Sequence, residues 1–373
     1  MHLEITPELM ETFLRFFPLR ITGTAMRPNI LLLCKLSFVM LCLYGFVGYI
    51  NDPYVPFLPF LDKFHDIPGV FKTSMRAAFL ISGTLLLFNV KVRTMALILG
   101  GSTLLVILSS KPVFRNHLFI CGCFFLLAGL THKKHRPWLL YVQFSLVYLG
   151  AVINKVPQLD WWTGQFMHNW LANARANEVY TAIAGCFPEM VFAKFLAWSS
   201  MLIELAIALM ILNAKAHKAV VWSILIFHSL LYTLTAHRFG HFYEDIVLGL
   251  LIFMVWPKEN LQLAFNETKI PYLRGYLRTL NFNRNFDFAT TPLETGNWMA
   301  LRLSNRFYTN WSALRRLLLY SSNFYFFLFC FDFFIRFLLN GLSMHLVQIV
   351  ITWVALFFFL PMIWNDKKYG HVQ

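Results

Sequence analysis

The sequence predicts an all-α fold, a polytopic integral membrane bundle of about 8 to 10 transmembrane helices. Three observations predict it. The chain is 58% hydrophobic and only 13% charged, with a mean hydropathy of +0.58, too apolar for a soluble domain. Apolar runs near the length that crosses a bilayer, about 20 residues, recur along it. Lys and Arg gather in alternate connections between those runs, as they do in loops that stay on the inner side of a membrane.

The runs fall near 29–50, 73–90, 94–110, 116–131, 137–155, 191–212, 219–236, 242–257, 317–338 and 342–363. Arg15, Arg20 and Arg27 precede the first. Lys91 with Arg93, Lys133 with Lys134 and Arg136, and Lys215 with Lys218 occupy alternate loops, which places both termini on the cytoplasmic or matrix side. The net charge of +14 is read as this loop bias and not as a nucleic-acid surface. The expected organisation is an inward N-terminal segment (1–28), a membrane bundle (29–257), an inward basic interfacial segment (258–316), and a C-terminal transmembrane hairpin with its tail (317–373). Pro271, Gly275, Pro292 and Gly296 break the third part into short pieces that read as lying along the membrane surface, too small for a domain of their own.

Five of the six cysteines lie in apolar runs, where Cys serves as a small hydrophobe, so neither a disulfide framework nor a metal site is predicted. Cys121-Gly-Cys123 is too closely spaced for a redox CxxC and reads as packing.

Ionisable residues inside the runs are costly in hydrocarbon and call for a partner, a wet cavity or a function. Glu204 in "SSMLIELAIALM" and His228 in "ILIFHSLLYTL" are mid-run, with Tyr232 and Thr235 following His228 at helical spacing. A structural reading makes Glu204 and His228 a buried interhelical pair. Lys35 and Asp332 sit nearer run ends, where a lysine can snorkel to the interface. At the opposite, outward end, Asn116 and His117 open one run, Lys155 closes the next, and His237, Arg238 and His241 stand between two later ones. Tyr148 precedes Lys155 by seven residues, so both project from one helix face. Lys155 reads either as an interfacial anchor, with Trp161, Trp162 and Trp170 as an aromatic belt, or as a functional amine.

"RNHLF" and "QFSLVYLGAVINKVPQLDWWTGQF" together resemble the membrane domain of vitamin K-dependent gamma-carboxylases and of their relatives, the horizontally transferred transmembrane (HTTM) proteins. The matching pieces are Asn116-His117, then Gln143 and Tyr148 leading to Lys155, then Asp160-Trp161 and Gly164, with Glu204 in "LIELAIAL" and Phe227-His228 further on. The resemblance implies a reduced quinone as cofactor, with Lys155 as the base that takes the quinol proton and His117 tied to the same chemistry. Asn116, Tyr148, Gln143, His228 and Glu204 would bind the substrate or support its cavity. A base must be neutral, and an amine moved into an apolar pocket loses its preference for the charged form.

Two departures weigh against peptide carboxylation. The carboxylases carry a large outward domain where this chain has an inward linker and two further runs, and Asn154 stands where they have a second lysine. The competing reading is a non-catalytic HTTM-type subunit for assembly or export, with the C-terminal hairpin as its docking surface for a membrane partner. A transporter ranks last, because Pro and Gly do not interrupt the central runs in matching places.

Overall fold

The computed structural model describes residues 14–51, 53–234, 242–257, 261–266, 273–281, 286–289, 293, 296–303, 306–327 and 330. Eight helices occupy the first eight apolar runs: α1 Pro28–Leu43, α2 Pro68–Leu87, α3 Val92–Leu108, α4 Asn116–Leu130, α5 Trp138–Lys155, α6 Val191–Ile211, α7 His217–Leu234 and α8 Phe242–Gly249. The hairpin expected over 317–363 lies almost wholly outside the described residues.

Helix α1 is apolar on every face and is accordingly the inner helix, buried from Asn29 to Leu41 but for one residue and packed against α2, α4 and α8. It ends before its apolar run does, because the chain turns at Gly45 in a left-handed conformation. Helices α3 and α4 pair most intimately. A Cβ at Gly100 would stand 2.4 Å from the backbone nitrogen of Leu126, so the two backbones approach through a residue with no side chain. Arg93, at the start of α3, donates to the carbonyls of Gly129 and Leu130 at the end of α4, and Arg27 donates to that of Lys133. The basic loops therefore gather at one end of the bundle.

The exterior of the helices is apolar. Ile81, Leu146, Ile153, Leu202 and Leu209 are exposed, while Lys35, Glu204, His228 and Asp245 are buried. Water does not favour that arrangement, but hydrocarbon does. Among the described residues two helices, Pro68–Leu87 and Val191–Ile211, are long and apolar enough to cross a membrane, and α1, α3 and α4 are apolar but shorter.

Two expectations are corrected. Lys35 does not snorkel: the N-terminal segment folds over it, leaving it 0% exposed. Its ammonium donates to the carbonyls of Pro18 (2.6 Å) and Arg20 (2.9 Å) and to Asn89 Oδ1 (2.7 Å). The segment after the bundle also folds as more than a surface strip. Strands β1 Leu261–Phe265, β2 Phe286–Phe288, β3 Met299–Leu303 and β4 Arg306–Thr309 form one sheet in the order β2-β1-β3-β4. β1 and β2 are parallel, joined across α9 Leu273–Leu280, and the other two pairings are antiparallel. The inner face buries Leu263, Phe286, Met299 and Leu301 against Leu277 of α9 and Leu317 of α10 Asn310–Leu319. Trp256 packs edge-on against Tyr320, and Ser322 donates to the Leu19 carbonyl, which ties this small unit to the bundle.

Candidate functional site: paired charges between α5, α6 and α7

Helix α5 is contacted by α6 in antiparallel register, since Ser145 donates to the Ala208 carbonyl (2.8 Å) while Lys155, later on α5, meets Glu204, earlier on α6. Ten residues of α5 lie between those two contacts, about 15 Å of helix, against four residues of α6, about 6 Å. The Lys155 side chain therefore reaches back into the bundle, the direction in which helical side chains lean. The interfacial-anchor reading of Lys155 does not survive this geometry. Its Nζ donates to both Glu204 oxygens, at 2.6 and 2.5 Å, and to Ser200 Oγ at 3.4 Å. The side chains of the ion pair are 16% and 9% exposed.

Aromatic rings close the site. Trp161 lies over the ammonium, 4.6 Å from Nζ to the ring centroid, and stacks on Phe166 at 4.4 Å. It is buried, so the belt role falls instead to the exposed Trp162, whose indole donates to the Val156 carbonyl. Gly164, in a left-handed turn, lets this segment press against α6. A Cβ there would stand 2.6 Å from the Lys194 nitrogen.

Deeper along the same helices, Tyr148 of α5 and His228 of α7 form a second buried pair, 2.8 Å from hydroxyl to Nε2. Glu204 lies within electrostatic range of Tyr148, and Lys155 of His228. Glu204 and His228 are thus not each other's partner. Each binds a residue of α5, and the seven-residue spacing on that helix sets the two pairs one above the other.

The other sequence candidates are placed differently. Asn116 is exposed and His117 half-buried at the start of α4, the same end of the bundle as the C-terminus of α5. Gln143 is half-buried and precedes Lys155 by twelve residues, about 18 Å along α5, outside the group. The side chain of Tyr232, and Thr235, His237, Arg238 and His241 altogether, lie outside the described residues. Sequence reading missed Ser200 and Asp245. Asp245 is buried in α8 and its Oδ1 accepts from Cys121 Sγ at 3.2 Å, so this cysteine does more than pack. An acid inside the run "EDIVLGLLIF" was the available signal for Asp245.

An apolar exterior around an inward-facing ion pair and a buried tyrosine–histidine hydrogen bond defines a membrane-associated helical protein. In comparison with known families, residues 131–254, about a third of the chain, match the HTTM domain. The matched stretch spans α5 to α8, with Tyr148, Lys155, Glu204 and His228 inside it. No curated protein and no solved structure matches the chain.

Proposed function

We propose that the protein is a multi-pass membrane enzyme, both termini on the cytoplasmic or matrix side, in which Lys155 and Glu204 together accept a proton from a reduced quinone. The reaction class is quinol-dependent oxygenation, or a related carboxylation. The observation that carries the reading is the Lys155–Glu204 pair, drawn into an otherwise apolar bundle at the end where a lipid-soluble ring can enter.

The residues fit such a ring. Nζ supplies a polar contact, the Trp161 face a flat apolar wall, and the partial exposure of Lys155 a way in. Bound there, a reduced quinone supplies the reducing equivalents for oxygen. In low dielectric a contact ion pair gives up much of its advantage over the neutral pair. Transfer of one proton from Nζ to the Glu204 carboxylate leaves a neutral amine, which can then take a proton at Nζ. Ser200 and Trp161 hold the amine in place through that exchange. Tyr148 and His228 keep the wall beneath the pair closed to water, and Asn116 and His117 stand at the same end to orient a ring oxygen.

A second reading, a non-catalytic HTTM-type subunit that assembles with another membrane protein, is favoured by the pairing itself, since Lys155 and Glu204 already satisfy each other. Purified protein in lipid nanodiscs separates the two. Quinol consumption under oxygen by the parent, abolished by Lys155→Ala in a folded variant, supports the enzyme. No turnover with menaquinol, ubiquinol or phylloquinol supports the subunit.

A further inference from the structure

The bundle carries a second built site at its basic end, remote from Lys155. A cavity of about 580 Å³ opens between the N-terminal segment and the α2–α3 turn, lined by Arg15, Arg20 and Lys91 together with Thr22, Thr24 and Asn89. None of the described residues lining it is acidic. Val92, the first residue of α3, also lines it, so the positive end of a 17-residue helix faces the space, with no side chain capping its first N–H groups.

Behind the wall stands Lys35, fully buried on three neutral oxygens. These three oxygens account for the hydrogen-bonding capacity of the amine, with no carboxylate among its contacts. Asn89 is the keystone. Its Oδ1 takes Lys35, and its Nδ2 donates to the carbonyls of Arg15 and Phe17, which anchors the cation-bearing segment at the cavity edge.

Three lining cations and a helix N-terminus, with no acid among the described lining residues, make a cradle suited to an anion. The Thr22 hydroxyl in the lining suits the tetrahedral oxygens of phosphate. We infer that this cavity binds a phosphoryl group, carried either by an anionic lipid headgroup or by a small soluble phosphate. Basic pockets at the loop end of membrane helices are where such headgroups seat.

Lys91, exposed at the rim, reports on occupancy. The full chain is placed in nanodiscs of phosphatidylcholine alone, phosphatidylcholine with inorganic phosphate added, or phosphatidylcholine mixed with phosphatidic acid. Reductive methylation of Lys91 is then read by mass spectrometry against Lys133. Protection by inorganic phosphate identifies a soluble ligand, and protection by phosphatidic acid alone identifies the lipid. Protection by neither overturns the assignment. The Arg15→Gln/Arg20→Gln variant should weaken the protecting ligand about tenfold or more, each cation at such a surface contributing about a fivefold factor. The loop variant Lys133→Gln/Lys134→Gln, read at Lys91 alone, should leave protection unchanged. An equal loss in both variants would reduce the effect to bulk charge and also overturn the inference.

Discussion

Among the described residues two lysines reach into this bundle, Lys35 fully buried and Lys155 partly so, and the fold accommodates them in opposite ways. At the end of the bundle opposite the basic loops Lys155 meets a carboxylate, so the two charges can offset each other. At the basic end Lys35 meets two carbonyls and an amide oxygen, all of them neutral acceptors. The same residue type thus meets an ionisable partner in one place and only neutral oxygens in the other. The two sites differ in the partner and also in depth, Lys35 being fully buried and Lys155 partly exposed.

Removing Lys35 tests that contrast most severely. Lys35→Met leaves three oxygens without their donor and should cost about 3 kcal/mol or more, at roughly 1 kcal/mol or more per buried acceptor left unpaired. Thermal unfolding in detergent should fall sharply, and proteolysis should open the segment around residues 15–27. A stable variant with that segment protected would mean the oxygens do not depend on Lys35. Glu204→Gln comes next, with an expected loss of about 2 to 3 kcal/mol. That is below the full value for a broken buried pair because Lys155 retains some exposure and can reach toward the interface. The double variant Lys155→Met/Glu204→Leu should recover most of that stability, since removing both charges of a buried pair is often neutral. A double variant less stable than either single one would contradict a simple ion pair.

Two smaller effects sharpen the picture. Tyr148→Phe removes one neutral hydrogen bond from His228 and should cost about 1 kcal/mol by chemical denaturation. Asn89→Asp gives Lys35 the carboxylate that Lys155 already has, turning one site into a copy of the other. It should leave the fold within about 1 kcal/mol, trading the Nδ2 bonds for an ion pair, while lowering phosphate protection of Lys91. Unchanged protection would remove Lys35 from the anion site.

The helices were legible because apolar runs of membrane length admit few alternatives. Their ends were less so: the eighth run yields a helix only over Phe242–Gly249, followed by a 3₁₀ turn over Leu250–Phe253. The sheet went unread because its strands are only three to five residues long, and its central strand β1 takes its partners from beyond α9. Hydropathy carries no signal for such pairing. At the site, the spacing of Tyr148 and Lys155 predicted their shared face, and apolar context marked Glu204 and His228. Which residue pairs with which depends on how α6 and α7 lie against α5, a tertiary fact. Lys35 was misjudged for the same reason: distance from a run's end says nothing about a segment folding back over it.

The central claim is that the Lys155–Glu204 pair moves a proton and does not merely hold two helices together. The direct measurement is quinol-dependent oxygen uptake in nanodiscs, comparing the parent with Lys155→Met/Glu204→Leu at equal thermal stability. The account predicts turnover by the parent and none by the folded double variant. A double variant that keeps the parent's rate would contradict it.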